Sequence, residues 1–332
     1  MKRVNIGIFL LVILSLLSFS CSKSKSNNEP ESYGNKYANR KPRILVVHSY
    51  TADNTWTKSE NQPINDAFLE DGYEFETFYM NITAKSDLNF KNNAGNTAME
   101  KFNDYKPDIV VAADDEAQEY FASKLAGRDD VDIIFCGLEG DPARYNYPNK
   151  NVTGVLERPQ VNKAIKLVQS LVPGTNSFMI MTDRSEASKL FMTYLKGMNL
   201  GYDINVQDAD NYTEWKEKVY GITAKALILY KYDEISGTTP EELIKWTVNN
   251  VSVPTIAFTE SAVQNGILLA VVESGKEQGS LVAKFVKFLV QGRKAKQIPI
   301  SLGRDGLVIV NKKQAEKLKL DLEKIHIDKT IE

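Results

Sequence analysis

Aromatic and acidic side chains recur directly after the buried, strand-like runs of this sequence. Aromatic rings supply contact area and a cation–π face, and a carboxylate supplies a charge-assisted hydrogen bond to an ammonium group. Cations are scarce beside them, because only Arg184 and Lys231 are close. This combination predicts binding of a small organic molecule that bears an amine or an aromatic ring, and it argues against phosphate. The eight candidate ligand-binding residues are Tyr50, Trp56, Asp114, Asp115, Glu139, Asp183, Tyr230 and Glu260.

The acidic candidates also have a structural interpretation. Asp114 and Asp115 precede a predicted helix, where acidic residues cap the first turn, although capping and ligand contact can coexist at one helix end. Asp183 follows Thr182 in a pattern that is typical of a cap. Glu139 lies just before Asp141-Pro142, a pair that favours a turn.

The aromatic candidates differ in how much they say about a ligand. Tyr230 and Tyr232 lie two residues apart on a predicted strand and so face the same side of it. One of them can pack in the sheet while the other lines the cleft. We interpret His48 as a semi-buried histidine rather than a catalytic one. Trp56 is the clearest candidate, because a tryptophan in a polar loop has no obvious core to fill.

Motifs of the common enzyme classes are absent from the sequence. It contains no G-x-S-x-G, Walker loop or H-E-x-x-H motif, and no glycine-rich dinucleotide fingerprint follows the first strand. Its two histidines, His48 and His326, are too far apart in sequence for zinc-type spacing. We therefore predict no catalytic residue, no cofactor and no metal.

Composition narrows the partners further. Hydrophobic residues make up 42% and charged residues 25% of the 332 residues, which is typical of a soluble globular protein. The net charge of −2 gives no electrostatic reason to expect nucleic acid. Cys136 lies in the apolar run VDIIFCG and is most simply a core residue, so no internal disulfide is expected with Cys21. We expect a monomer.

The N-terminus has the order of a secretory signal peptide. Lys2 and Arg3 precede an apolar run from Ile6 to Phe19, which is shorter than the roughly 20 residues of a membrane span. Cys21 then resembles the lipidated cysteine of a bacterial lipobox, although Ser18 stands where lipoboxes usually have leucine. We expect a signal peptide over 1–20 and a lipidated, disordered tether over 21–41. The alternative is an ordinary signal peptide with Cys21 as an incidental thiol.

Short β-rich runs alternate with helical stretches from Arg43 onward, which is the signature of a parallel, doubly wound sheet. A segment rich in Asn, Pro and Tyr at 143–153 interrupts this order, and the same order then begins again. The sequence therefore predicts an α/β fold with two doubly wound lobes. Ligands of open parallel sheets lie beyond the carboxyl ends of the strands, so two facing lobes form a cleft that can close.

Five short motifs occur in order along the chain: VVHSYTADNTW (46–56), Asp141-Pro142, KNVTGV (150–155), LVPGTNSFMIMTD and LVIVNKKQAEKLKL (307–320). Together they resemble the ABC transporter substrate-binding proteins of the tryptophan/tyrosine-binding type. The resemblance covers about residues 42–325. One branch of that family, in which H-S-Y and a nearby Trp follow the first strand, also occurs as sensor domains fused to histidine kinases.

The resemblance implies a type I periplasmic-binding-protein fold, with two lobes joined by a multi-strand hinge. The crossovers are expected near 153–156, 257–270 and 291–305. We expect lobe 1 to contain 42–153 plus 266–291, and lobe 2 to contain 154–265 plus 292–328.

Together these observations predict a lipid-anchored, extracytoplasmic solute-binding protein at the cell membrane or outer membrane of a bacterium. It would capture a small organic ligand between two lobes and deliver it to an ABC permease. One alternative is a sensing module of the same fold that acts with a sensor kinase. Another is a surface lipoprotein hydrolase, which would need a nucleophile–base pair in the cleft.

Overall fold

The computed structural model describes residues 37–332. The expected signal peptide, the expected lipidation at Cys21 and most of the expected tether lie outside these residues. The last residues of the tether expected over 21–41 are packed against the fold rather than disordered. Tyr37 is buried in the first lobe, and the Arg40 guanidinium donates two hydrogen bonds of 2.6 Å to the Asp108 carboxylate.

Thirteen strands are present in the described residues. In chain order they are β1 (Arg43–His48), β2 (Glu74–Tyr79), β3 (Ile109–Ala113), β4 (Asp132–Leu138), β5 (Val152–Leu156), β6 (Ser177–Thr182), β7 (Asp203–Asp208), β8 (Ala226–Leu229), β9 (Thr255–Ala257), β10 (Leu269–Val272), β11 (Ser301–Leu302), β12 (Leu307–Asn311) and β13 (Lys329–Ile331).

Ten α-helices alternate with these strands in the described part of the chain. They are α1 (Thr55–Glu70), α2 (Leu88–Tyr105), α3 (Asp114–Tyr120), α4 (Val161–Leu171), α5 (Glu186–Gly197), α6 (Tyr212–Tyr220), α7 (Pro240–Asn250), α8 (Glu260–Gln264), α9 (Gly275–Val290) and α10 (Lys312–Lys317). Short 3-10 helices lie at Ala122–Leu125, Pro142–Tyr145, Ala295–Gln297 and Leu322–Lys324.

The strands form two sheets, one for each lobe. The first has the order β11-β5-β4-β3-β1-β2 and is wholly parallel. The second has the order β13-β12-β10-β9-β8-β6-β7 and is parallel except for the antiparallel pair of β10 with β12. The predicted α/β fold with two doubly wound lobes is confirmed.

Side-chain pattern explains the place of each strand. Every residue of β3 (IVVAA) and of β8 (ALIL) is buried, as expected for strands covered by helices on both faces. Strands β2 and β7 lie at sheet edges, and in both of them exposed residues alternate with half-buried ones at the start. Continuous apolar runs thus mark sheet centres, and alternating runs mark edges.

The chain passes between the two sheets at three places, which we call the hinge segments: 157–160, 273–274 and 303–306. All three expected lobe boundaries differ from this arrangement. The segment 292–302, expected in lobe 2, stays with the first sheet, because β11 pairs with β5. Strand β5 continues to Leu156 in the first sheet because it pairs with β4, so the first crossing comes after 153. Strand β10 belongs to the second sheet rather than to the first lobe, because it pairs with β9 and β12.

The remaining differences concern short elements. The helix predicted after Asp114 and Asp115 is short, because α3 ends at Tyr120 and a separate 3-10 helix follows at Ala122–Leu125. Strands β11 and β13 and helix α8, of two, three and five residues, were not predicted. Elements of this length contain too few residues to show a period.

Helix α9 returns to the first lobe and crosses α1 at glycine positions. A Cβ atom added to Gly279 would collide with the carbonyl oxygen of Glu60 and would lie 2.8 Å from Pro63 Cγ. Gly275 is similarly close to Ser59. The two helices therefore touch at their backbones, which holds Glu60 beneath the cleft.

We predict that Gly279→Ala lowers the free energy of unfolding by about 1–3 kcal/mol, because the added methyl group overpacks this crossing. Gly197→Ala in α5 is the matched control, since no atom lies within 4 Å of its added Cβ. That change should be neutral or stabilise the protein by up to about 1 kcal/mol. Urea denaturation of both variants measures the difference, and equal effects would contradict the predicted crossing.

Candidate ligand-binding site

A cavity of about 490 Å³ lies between the lobes at the carboxyl ends of their strands. Lobe 1 contributes Trp56 and Glu139, and the hinge segments contribute three charged side chains. Most of the remaining lining comes from lobe 2. Four predicted site residues line the cavity together, Trp56, Glu139, Tyr230 and Glu260. The other four, Tyr50, Asp114, Asp115 and Asp183, lie outside its lining.

Trp56 is oriented by the start of α1. The Asn54 side chain caps this helix by accepting hydrogen bonds from the backbone N–H groups of Trp56, at 2.9 Å, and Thr57, at 3.1 Å. The indole Nε1 donates a hydrogen bond of 2.8 Å to Asp114 Oδ1. The ring is thus held at both ends while one side faces the cavity.

Asp114 fixes the orientation of the Trp56 indole by accepting its hydrogen bond. It follows β3 with φ of +69°, and only 2% of it is exposed. Its second oxygen, Oδ2, is buried and has no hydrogen-bond partner among the described residues. Burial raises the pKa of Asp114 to about 8, although the hydrogen bond from Trp56 opposes this shift. Tyr50 is half-buried near this carboxyl group, and burial followed by the charge of Asp114 raises the pKa of its phenol.

A second carboxyl group, that of Glu60, is buried next to Asp114. Both carboxyl groups lie close to Gly137, whose φ is +61°. A Cβ atom added to this glycine would lie 2.6 Å from Asp114 Oδ1 and 2.9 Å from Glu60 Oε1. Neither Glu60 oxygen has a hydrogen-bond partner among residues 37–332. Burial raises the pKa of Glu60 well above its usual value and lowers that of His48, 4.0 Å away, to about 4. His48 is therefore neutral near pH 7, and burial favours the protonated form of Glu60.

Asp115 and Asp183 accept hydrogen bonds from loop residues and do not line the cavity. Asp115 accepts hydrogen bonds from the N–H groups of Glu139, at 3.0 Å, and Gly140, at 2.9 Å. Asp183 accepts hydrogen bonds from the hydroxyl groups of Ser185, at 2.5 Å, and Ser188, at 2.6 Å. The contacts of Asp183 agree with the capping interpretation, because they lie at the start of α5. Asp115 instead binds the loop after β4, and α3 has no side-chain cap at its N-cap residue, Ala113.

Aromatic side chains form one wall of the cavity. Tyr230 packs on Phe191, with ring centroids 3.9 Å apart, and meets Phe258 edge-on at 6.1 Å. Tyr232 also lines the cavity, and its hydroxyl lies 3.4 Å from Thr259 Oγ1. Both tyrosines, which follow β8, therefore line the cavity together with Trp56.

Two predicted carboxylates are already paired with lysines. Glu139 of lobe 1 forms an ion pair of 2.8 Å with Lys231 of lobe 2, so this pair bridges the cleft. Glu260 pairs with Lys329 at 2.6 Å. The other nearby cation, Arg184, does not line the cavity, because it binds Asp208 and Glu214 on the outside of lobe 2.

Three hinge residues in the lining were not among the predicted site residues: Glu157, Arg158 and Glu273. The Arg158 guanidinium donates to the carbonyl oxygens of Leu138, Glu139, Gly140 and Glu157, at 2.6–3.0 Å. Burial raises the pKa of Glu157 to about 8 and that of Glu273 to about 7. Both glutamates directly follow a strand, so the strand-end rule could have found them had the crossings been placed correctly.

Other chemistry has little support in the described residues. Between residues 37 and 332, no group of three or more His, Cys, Asp or Glu side chains is placed to hold a metal ion. Cys136 is buried and free. Over the same range no helix is both long and apolar enough to cross a membrane.

Residues 58–327 match the family model described as ABC transporter substrate binding protein. The chain belongs to this family. The family resemblance of the sequence motifs is thereby confirmed, and so is the type I periplasmic-binding-protein fold that it implied.

Similar proteins cover nearly the whole substrate-binding protein. A tyrosine-binding protein of Clostridioides difficile is 20% identical over 340 residues, which span 97% of this chain and 94% of that protein. The ligand-free, open structure of a substrate-binding protein with adhesive properties from Clostridium difficile has a TM-score of 0.67 at 16% identity, covering 87% of this chain and 100% of that one. The ABC domain from Streptococcus pneumonia in complex with L-Trp has a TM-score of 0.54 at 18% identity, covering 88% and 100%. At these identities the structures show the fold.

The buried Asp114 of this substrate-binding protein leads to a prediction on stability. Its pKa is about 8 in the folded state and about 3.8 in a solvated chain. Between these values unfolding releases a proton, so stability falls as pH rises. We predict that Asp114→Asn, which keeps the acceptor for Trp56 and tolerates the positive φ, loses less stability than the wild type between pH 6.5 and 8.5.

Urea denaturation across this range tests the difference, which is at most about 1.4 kcal/mol per pH unit for one proton. His48 has a pKa of about 4 when folded and 6.5 in a solvated chain, and its contribution cancels from the difference because both proteins contain it. The exposed Asp104→Asn serves as the control and should follow the wild type. Parallel pH profiles for Asp114→Asn and the wild type would contradict the buried, protonated state of Asp114.

Proposed function

We propose that this substrate-binding protein captures a small aromatic, amine-bearing ligand in the cavity between its lobes and delivers it to an ABC permease. The observation that carries the proposal is the composition of the cavity. Trp56 of lobe 1 and Tyr230, Tyr232 and Phe258 of lobe 2 line one space of about 490 Å³, together with several carboxylates. Aromatic rings on two sides suit a flat ligand, and the carboxylates suit an ammonium group.

Relatives support the same ligand class. The similar protein of Clostridioides difficile is named a tyrosine-binding protein, and the similar structure from Streptococcus pneumonia holds L-Trp. Both ligands combine an aromatic ring with an amino group. The size of the cavity is in the range of small-molecule sites in proteins, roughly 300–1,000 Å³.

Transport requires closure rather than catalysis. A ligand that contacts both Trp56 of lobe 1 and Tyr230 of lobe 2 binds the closed arrangement more tightly than the open one, which shifts the population toward closure. The three hinge segments allow such a movement, because they are the only described crossings between the sheets. A permease can then recognise the closed protein. We assign no catalytic role to any residue.

Membrane attachment belongs to the same proposal. A lipid on Cys21 would hold the protein outside the cytoplasm, close to a permease in the membrane. Such tethering raises the local concentration of the protein, so that modest affinity for the permease suffices.

Sensing is the second candidate function. It is favoured by the sequence H-S-Y at 48–50 with Trp56 nearby, as in the sensor branch of the family. The genes beside this one separate the two functions: a permease and an ATPase favour transport, and a sensor kinase favours sensing.

We predict that Trp56→Ala weakens ligand binding by about 1 kcal/mol or more, because the ligand loses a stacking surface. Calorimetry with tyrosine, tryptophan, tyramine and tryptamine measures the change for each compound that binds. Tyr220→Ala is the control, since this tyrosine is 66% exposed and lies outside the cavity. An unchanged affinity for every bound compound would remove Trp56 from the site.

We predict that Cys21→Ser releases the protein from the membrane fraction, because the serine cannot carry a thioether-linked lipid. Labelling with radioactive palmitate in the native host measures this, with Cys136→Ser as the control for the second thiol. Palmitate that persists on the Cys21→Ser protein would disprove the anchor.

A further inference from the structure

The geometry points to a ligand with a net positive charge, whose ammonium group is bound at the hinge between the carboxylates of Glu157 and Glu273. This inference rests on the proposed function, because it concerns the same cavity, and it narrows the ligand class. It favours aromatic monoamines over amino acids.

Glu157 occupies the first hinge segment, directly after β5. It lines the cavity, and its carboxylate forms no hydrogen bond or ion pair within the described part of the chain. The charged groups that act on it most strongly are carboxylates, those of Glu139, Asp114 and Glu273, with Lys231 opposing them. Glu157 is therefore a carboxyl group at the cavity floor that lacks a cation of its own.

Glu273 occupies the second hinge segment, directly after β10. It lines the same cavity, and both of its carboxylate oxygens are buried without a hydrogen-bond partner among the described residues. Gln160 is close enough to act on this carboxyl group. Yet its amide nitrogen and oxygen form no hydrogen bond of normal geometry, and only 9% of the residue is exposed.

The groups that could neutralise Glu273 from within the protein are occupied. Lys163 donates to the carbonyl oxygens of Asp305 and Gly306 in the third hinge segment.

Glu277 is another carboxylate that acts on Glu273. It accepts hydrogen bonds from the backbone N–H groups of Arg304, Asp305 and Gly306. Glu277 is thus satisfied by the hinge backbone, whereas Glu273 is not.

The two cations of the cavity lining are also engaged. Arg158 donates to four backbone carbonyl oxygens, and Lys231 pairs with Glu139. A ligand carboxylate would have to displace one of these contacts, and the carbonyls or Glu139 would then lose their donor. An ammonium group breaks none of these contacts; it replaces only a proton held by Glu157 and Glu273 and supplies hydrogen-bond donors to their carboxylates.

A matched set of indoles tests the charge of the ligand. Tryptamine is a cation near neutral pH, tryptophan a zwitterion, 3-ethylindole neutral and indole-3-propionate an anion. Calorimetry at pH 7.5 should give the tightest binding for tryptamine, and the phenol series from tyramine to tyrosine should follow the same order. Tryptophan or tyrosine binding as tightly as its amine would overturn the inference.

Substitutions then assign the ammonium site. Glu157→Gln and Glu273→Gln should each weaken tryptamine binding about tenfold while changing 3-ethylindole binding less than about threefold. Glu70→Gln is the control, because this exposed glutamate carries the same charge and lies outside the cavity lining. Thermal melts of each variant verify that it folds. Equal losses for amine and neutral compound, or equal losses in the control, would overturn the assignment.

Failure of the inference differs from failure of the proposed function. If aromatic compounds bind through Trp56 but the zwitterion or anion binds best, the charge inference is wrong and the aromatic site stands. If none of these compounds of any charge binds, both are wrong.

Discussion

Three chain crossings between two sheets constrain every other feature of this molecule. Parallel strands end at the plane between the lobes, so their carboxyl ends face one another across the cleft. Two of the hinge segments, 157–160 and 273–274, contribute to the lining of the cavity, which we call its floor. Backbone carbonyls beside this floor need donors, and Arg158 donates to four of them, one in the first crossing and three at the end of β4. The arginine in the cavity is therefore part of the scaffold.

The carboxylates around this plane fall into two groups with different physical roles. Asp115, Asp183 and Glu277 accept hydrogen bonds from backbone N–H groups or serine hydroxyls, which stabilises loops and the hinge. Glu157 and Glu273 have no such partners. Residue type alone does not separate these groups, because capping and binding both use acidic side chains at strand ends.

This is the physical reason why the sequence predicted the fold better than the site. Buried runs such as IVVAA and ALIL identify central strands without knowledge of distant contacts, so the two-lobe α/β fold could be predicted. The strand-end rule brought Trp56 and Tyr230 to one cavity. The role of Asp115 depends on the conformation of the loop at 139–140, which no local pattern encodes.

The hinge residues Glu157 and Glu273 line the cavity but were not predicted from the sequence, because their position depends on long-range contacts. Their place depends on where the chain leaves each sheet, and that is decided by strand pairing. Val152–Leu156 remains in the first sheet through β4, and Leu269–Val272 enters the second through β9 and β12. A boundary placed only a few residues early moves Glu157 away from the floor. Strand pairing is a long-range property, so single-sequence periodicity could not place these two residues.

Unpaired buried carboxyl groups are costly, and their concentration beside one cavity has a physical consequence. Leaving a buried charge without a partner costs several kcal/mol, whereas an exposed ion pair contributes about 1 kcal/mol or less. Elsewhere in the described residues the chain pairs its acids readily, as in Glu214 with Arg184 and Lys218. At the floor the protein instead holds a proton, since the pKa values of Glu157 and Glu273 lie near 8 and 7. Under our proposal, a ligand cation replaces that proton and gives both carboxylates a charge partner. Closure of the lobes around the ligand and recognition of its charge would then be coupled through Glu157 and Glu273.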